Sequence, residues 1–412
     1  MLYKKAILGL AKRIFKITSS EGCVPLEFNG PAGLYIHIPF CADNCGFCPY
    51  NKIIYDRDLA ARYPDAVEME FQLQKLRSFE SLYIGGGTPS LDLELLETVL
   101  SRLRESISGE IALELHPADA TPGNLDRIKH MGVNFVSVGI QSFEDNTLRS
   151  MDRKRQDSEI SKKAMREVMN CGFDFVDVDL IFDFQLNREK TLADFQTAMD
   201  YAPGQISVYP MMRFTGTSYS GTRHNPRLEL EILEALKNKA AESGYTRDTL
   251  WTFRKKEATH RYSSVSREFF LGLGTSASSF NGREFRTNTF SLGEYFASLE
   301  MGRLPAKRVI SMKRLTASLY YSFWSLYGGS LNLAKTDRLF GRYNPGLKTI
   351  LAFAVLFGYL KQKDNRLVPT DKGFSELHEI EEGLTYEFID RIWSELREDA
   401  SRDSQSASSS AK

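Results

Sequence analysis

The sequence predicts an α/β chain, a partial TIM-like (β/α)6 barrel followed by a small, mainly helical, winged-helix-like domain. Between residues 34 and 212, six short runs rich in β-branched and aromatic residues alternate with longer segments of helix formers. Such alternation means a parallel sheet with right-handed crossovers. Three cysteines crowd together directly after the first run, and strand-like runs give way to helical periodicity after residue 311.

Residues 1–18 carry Lys4, Lys5, Lys12, Arg13 and Lys16 and no acid, with Ile7, Leu10, Ile14 and Ile17 at helical spacing. The apolar stretch is broken by Lys12 and Arg13 and lacks a small-residue cleavage site, which argues against a signal peptide. A basic amphipathic helix of this kind suits an anionic membrane surface. The bland alternative is a helix docked on the protein's own core. The six β-runs are 34–40 (LYIHIPF), 81–86 (SLYIGG), 111–116 (IALELH), 135–141 (FVSVGIQ), 175–182 (FVDVDLIF) and 205–212 (QISVYPMM). Segments 58–78, 92–106, 157–171 and 188–201 read as helices between them. From 213 to 310 the pattern is mixed, with a helix near 226–243 and a glycine-rich stretch, LGLGTSASSF, at 271–280. Residues 358–374 read as a helix end, a β-hairpin and a new helix, and the tail SRDSQSASSSAK reads as low-complexity and disordered. The expected divisions are a basic N-terminal segment (1–30), a catalytic domain (31–310), a helical domain (311–395) and a disordered tail (396–412).

Composition narrows the function classes. Hydrophobic content of 42% and charged content of 26% describe an ordinary globular protein, long enough for about two domains. Fifty-three basic and 53 acidic residues cancel, so bulk attraction to nucleic acid is not indicated. No apolar run is long enough to span a bilayer. Five cysteines, three of them clustered, are not a disulfide scaffold, and a reducing, cytoplasmic compartment is expected, with contact on the inner face of the membrane if residues 1–18 bind there. Cys23 and Cys171 read as spare thiols.

The chemistry resides in Cys41-Ala-Asp-Asn-Cys45-Gly-Phe-Cys48. A [4Fe–4S] cluster normally takes four thiolates. Three leave one iron open for the amino and carboxylate groups of S-adenosylmethionine (SAM), whose reductive cleavage gives a 5′-deoxyadenosyl radical. A zinc site would want four Cys/His ligands; His37 could be the fourth, but it sits inside a β-run where a packed role competes. Placement after the first strand is where barrel chemistry belongs.

YIHIPFCADNCGFCPY resembles the opening of the radical SAM family typified by oxygen-independent coproporphyrinogen III oxidase. The similarity continues through YIGGGTPS (83–90), ELHP (114–117), VSVGIQSF (136–143), VDLIF (178–182) and LGLGTSASS (271–279). The resemblance implies that Cys41, Cys45 and Cys48 hold the cluster. It places Gly85, Gly86 and Glu114 against the polar part of SAM, and Gln141, Arg153 and Asp179 on its ribose and carboxylate. Tyr35 lies near the SAM site, and Phe47 is the aromatic kept beside the third cysteine. No general base is identified. Tyr209, Arg213 and Trp251 stand where strand ends or the glycine-rich stretch reach substrate, with packing the more ordinary role.

The departures bear on substrate. Porphyrinogen oxidases resemble Cys-x3-Cys-x2-Cys-x-Cys, and the fourth cysteine's place here is Tyr50. The related haem chaperones carry His-Asn-x-x-Tyr-Trp, where this chain has His260-Arg261-Tyr262-Ser263-Ser264-Val265. After VDLIF the relatives' Gly-Leu-Pro-Gly-like turn is replaced by Asp183-Phe184-Gln185-Leu186-Asn187. The remaining branch, the class C radical SAM methyltransferases, uses two SAM molecules to methylate an sp2 carbon. The expected function is therefore C-methylation of a hydrophobic aromatic substrate, best the naphthoquinone ring of menaquinone. The alternative is a porphyrin- or haem-directed protein, an oxidase-like enzyme or a non-catalytic haem chaperone. A reductase, flavodoxin or ferredoxin would supply electrons.

Overall fold

In the computed structural model the described residues are all but 1–16, 20–22, 183–186, 223–224, 263–267, 342–343 and 411–412. Six strands, β1 (Gly33–Ile38), β2 (Ser81–Gly86), β3 (Ile111–Leu115), β4 (Phe135–Gln141), β5 (Phe175–Ile181) and β6 (Gln205–Tyr209), pair in sequence order, all parallel. A seventh parallel strand, β7 (Phe270–Leu273), lies on the other side of β1. It arises from the glycine-rich stretch, which the six-run count did not read as a strand. Antiparallel strands continue both ends, Thr252–Lys255 and Tyr245–Arg247 beyond β6, and Ser278–Phe280, Glu284–Asn288, Ala306–Ser311 and Ile17–Ser19 beyond β7. The sheet is therefore an open, extended relative of a closed barrel.

Period-two patterning decides which face each strand buries. Val136, Val138 and Ile140 on β4, and Val176, Val178 and Leu180 on β5, join Leu125, Ile128, Met165 and Val168 of the surrounding helices in one apolar core. At about 25 cal/mol per Å2, this continuous outer layer is the main stabilising term. The alternate positions, among them Tyr35, His37, Tyr83, Glu114, Ser137, Asp177, Asp179 and Ser207, make a polar and aromatic inner face. Tyr83, Phe135, Phe175 and Tyr262 cluster at its lower end.

Helices Arg57–Leu73, Leu93–Leu103, Ser158–Cys171, Arg188–Asp200 and Pro226–Glu242 stand where helical segments are expected; Pro122–His130 is an additional one. Asp56, Asp92, Asp157, Asn187 and Asn225 cap the first five through their side chains. The C-terminal region is mainly helical and contains the helix, hairpin and helix read from 358–374 (Pro345–Leu356, Leu360–Lys363, Arg366–Pro369, Asp371–Leu384).

Two expectations need correcting. The tail expected to be disordered from residue 396 begins inside a helix, Asp390–Ser410. Ile392 and Leu396, four residues apart, dock it on Phe290 and Ile310, and Asp399 pairs with Arg308 at 2.8 Å. At the other end, the expected N-terminal helix falls almost wholly outside the described residues. Its last member, Ile17, pairs with Ile310 in a strand instead.

Candidate active site

The site lies at the carboxyl ends of β1–β5. β1 runs through Pro39 into Phe40–Cys41, which pairs in parallel with Ile53–Ile54 and so closes the cysteine loop at its base. Ile53 N donates to Pro39 O (2.8 Å), Tyr55 N to Cys41 O (2.8 Å) and Cys48 N to Cys45 O (3.3 Å). Lys52 Nζ donates to Cys48 O at 2.8 Å. Within this frame the three thiols lie close enough to feel one another's charge. Burial pushes Cys41 up to about 11, partly opposed by Thr88, whose Oγ1 stands 3.5 Å from its sulfur. Burial likewise raises Cys48, against the pull of Lys52, the Tyr50 N–H and Arg153. Thiols raised in this way are poor nucleophiles on their own and become thiolates when cations sit among them. The donor set and its electrostatics thus fit an iron–sulfur cluster.

His37 does not complete a zinc set. Its Nδ1 faces the Tyr35 hydroxyl at 2.9 Å and its Nε2 faces the Asn51 carbonyl at 3.0 Å. A carbonyl only accepts, so Nε2 carries the proton and Nδ1 accepts from Tyr35. Burial holds His37 neutral, lowering it to about 4.

The next strand end is fastened by Glu114. Its carboxylate accepts from Gly86 N (3.1 Å) and Tyr83 Oη (2.7 Å). A Cβ on Gly85 would lie 2.7 Å from that carboxyl group, so the space the glycine leaves is taken by Glu114. Gly86, at φ +119°, passes so close to Ile38 O that a Cβ would stand 2.8 Å away. Burial raises Glu114, against the Tyr83 and Gly86 hydrogen bonds.

β4 ends in a register shift between Val138 and Gln141, where Gln141 adopts φ +64°. A non-glycine residue in that region carries strain of about 1–2 kcal/mol. Arg153 braces the bulge: Nη2 donates to Gly139 O (2.6 Å) and, with Nε, to Gln156 Oε1 (2.6 and 2.9 Å). On β5, Asp179 accepts from Ser137 Oγ at 2.7 Å, with Asp177 3.2 Å from the same oxygen. Ser137 has one proton, and the shorter contact takes it. Asp177 then bonds to Ser137 only as a protonated acid that donates, and burial pushes it up to about 7. Burial is also the main cause that raises Asp179.

Cys41, Cys45, Cys48, Gly85, Gly86, Glu114, Gln141, Arg153 and Asp179 thus stand at adjoining strand ends. Tyr35 reaches them through His37, and Phe47 packs on Met151, Met211 and Tyr219. His260 lies against Phe135 at the start of β4, the opposite end. Trp251 and Arg213 belong to a buried network around His378, while Tyr209 sits at the end of β6 against Trp251. The changed turn at 183–186 and the segment 263–267 lie outside the described residues. The sequence reading missed Tyr83, Ser137 and Asp177. Their signal was polarity at every second position of otherwise apolar strands.

Known proteins resemble this chain in sequence and fold. Residues 35–195 match the radical SAM superfamily model. The heme chaperone HemW of Bacillus subtilis is 30% identical over 281 residues, covering 63% of this chain and 73% of that protein. The oxygen-independent coproporphyrinogen III oxidase of Escherichia coli is 27% identical over 302 residues, 66% of each chain. The solved structure of the Escherichia coli oxidase HemN superposes with a TM-score of 0.72 over 85% of this chain and 89% of that one, at 24% identity, a likeness of fold. The chain belongs to the radical SAM superfamily, in the family that includes HemW and oxygen-independent coproporphyrinogen III oxidase, and its cofactors are a [4Fe–4S] cluster and SAM.

Proposed function

We propose that this chain cleaves SAM reductively at a cluster held by Cys41, Cys45 and Cys48, and that its substrate is a tetrapyrrole, a porphyrinogen or haem. The observation that carries the first part is the convergence of the thiol loop, Glu114, Arg153 and Asp179 on one end of the sheet. The tetrapyrrole reading, the lesser expectation from sequence, is taken from the relatives and replaces quinone methylation as the first choice. Bound cluster and SAM supply a 5′-deoxyadenosyl radical for hydrogen abstraction. Glu114 and the exposed backbone at Gly86 meet the methionine part of SAM. Arg153 opposes its carboxylate as a planar, fixed cation. Asp179 accepts from the ribose hydroxyls, with Gln141 beside it. Thr88 and the Tyr50 N–H donate to the thiolates of Cys41 and Cys48, which favours their charged form. Electrons come from a reductase, flavodoxin or ferredoxin.

One observation favours a second reading, the methylation of a naphthoquinone. The position of the oxidases' extra cysteine is Tyr50, whose ring packs on Trp393 at 5.7 Å. One experiment separates the readings. Reconstituted protein is reduced anaerobically with SAM and given coproporphyrinogen III, haem or a naphthoquinone in turn. A decarboxylated porphyrinogen, or stoichiometric haem binding together with deoxyadenosine formation, supports the first reading. S-adenosylhomocysteine with a quinone one methyl heavier establishes the second. No deoxyadenosine under any condition overturns both.

A further inference from the structure

The helix Pro345–Leu356 (PGLKTILAFAVL) is apolar apart from Lys348 and Thr349, and helices so rich in apolar residues are ordinarily buried on most sides. Here only Leu347 and Leu351 are buried. The opposite face projects Ile350, Phe353 (52% exposed) and Leu356 (73% exposed), continued by Phe357 (59% exposed) beyond the helix end. Phe353 and Phe357 stack at 6.2 Å, and Leu315, also exposed, extends the strip beside Gly346. A contiguous apolar surface of this kind marks an interaction site.

Basic residues outnumber acids along its border. Lys313 and Arg314 precede Leu315, Lys348 lies on the helix, and Lys361, Lys363 and Arg366 line the adjoining exposed hairpin. Lys372 Nζ reaches back to Phe357 O at 3.0 Å. Among the acids nearby, Asp371 is paired with Lys237 and Asp337 with Lys348, leaving Asp364 at the hairpin turn. A neutral chain has thus gathered basic residues around an exposed aromatic strip. Against a second copy, two such basic borders would repel across a two-fold axis.

We propose that this face is a membrane-docking surface, in which Phe353, Leu356 and Phe357 enter the headgroup–acyl boundary and the basic border pairs with anionic lipid phosphates. Aromatic and aliphatic anchors with lysines at their edge are the composition such interfaces use. The proposal does not depend on which substrate the site takes.

The test is sedimentation of the full-length, cluster-loaded protein with vesicles of phosphatidylglycerol and phosphatidylcholine in equal parts, and with phosphatidylcholine alone. Binding should favour the anionic vesicles and weaken with salt. The double variant Phe353→Ser/Phe357→Ser should lower partitioning at least about tenfold, and Lys361→Glu/Lys363→Glu by about fivefold or more. Both pairs are exposed, so melting temperature and iron content should stay at the parent's values. Leu356→Ser serves as a second probe of the strip. Parent-level binding in all three variants, or binding lost only when Lys4, Lys5, Lys12, Arg13 and Lys16 are replaced, would overturn the proposal. So would a parent that dimerises in solution and becomes monomeric on Phe353→Ser/Phe357→Ser.

Discussion

Among the described residues, a cysteine loop and a buried Glu–His–Glu group both gather metal-ligating side chains, and the first is the one built to receive a metal. The cysteine loop offers three thiols whose protein contacts are a long one from Thr88 to Cys41 and an N–H from Tyr50 to Cys48. Glu229, His378 and Glu382 gather more tightly, their ligand atoms all within 4.8 Å of one another, in the interior between the catalytic sheet and the C-terminal helices. There, however, Trp251 Nε1 donates to His378 Nδ1 at 3.2 Å. That nitrogen must accept, so the proton sits on Nε2, which faces Glu229 at 3.4 Å and Glu382 at 3.8 Å. A histidine ligating through Nε2 needs its other nitrogen to carry a proton toward an acceptor, and tryptophan offers only a donor. Arg213 supplies the remaining compensation to Glu229 at 3.5 Å. The donor at His378 Nδ1 and the Arg213 charge beside Glu229, rather than residue type, separate this buried ion-pair network from a cofactor site.

The largest expected effect is at the thiols. Cys48→Ala should reduce iron and sulfide content to background and abolish deoxyadenosine formation, while leaving the far-ultraviolet circular dichroism unchanged. His378→Ala should do the reverse. Iron content per folded molecule stays at the parent's level, but the Trp251 N–H is left buried without its acceptor and Glu229 keeps Arg213 but loses His378, and denaturant unfolding should show a loss of about 3 kcal/mol. If the variant instead loses iron, the comparison is wrong. Glu114→Gln removes the charge that holds Gly86 and Tyr83, and calorimetry on reconstituted protein should find SAM bound about tenfold more weakly.

The smallest effect is a slope. Asp177 is raised in the folded state, so its contribution to stability is full below about pH 4 and is lost as pH rises toward 7. The groups facing it are Asp179, Ser137, Ser207 and Gln205, with Tyr209 and Tyr262 within electrostatic reach. Asp177→Asn mimics the protonated acid. Its stability relative to the parent should grow by up to about 1.4 kcal/mol per pH unit across that window and level off above it. A parallel pH profile for the two proteins would remove the protonated acid from the site.

Much of this was legible in the sequence, for identifiable reasons. The six parallel strands announce themselves because their outer faces are unbroken Val, Ile and Leu at every second position. The cysteine loop is legible because three thiols in eight residues have few other uses. The strand Phe270–Leu273 was not, because its glycine hides the pattern. Gly272 has no room for a side chain, with a Cβ there lying within van der Waals radii of Ser278 O. The helix Asp390–Ser410 was missed because its serine-rich end outweighed the two apolar residues that dock it. Tyr83, Ser137 and Asp177 needed the register between neighbouring strands, which pairs Ser137 with Asp177 and Glu114 with Ser137 and is not written in any one segment. The Trp251–His378 contact spans 127 residues and has no local signature.

The central claim is that three thiols, and no fourth protein ligand, hold the cluster beside the SAM-binding strand ends. Its most direct test is electron paramagnetic resonance of the reduced, reconstituted protein before and after SAM is added. The account predicts a cluster signal that changes on SAM addition in the parent and is missing from the Cys41, Cys45 and Cys48 alanine variants. A signal indifferent to SAM, or one that persists when any of the three cysteines is replaced, would contradict it.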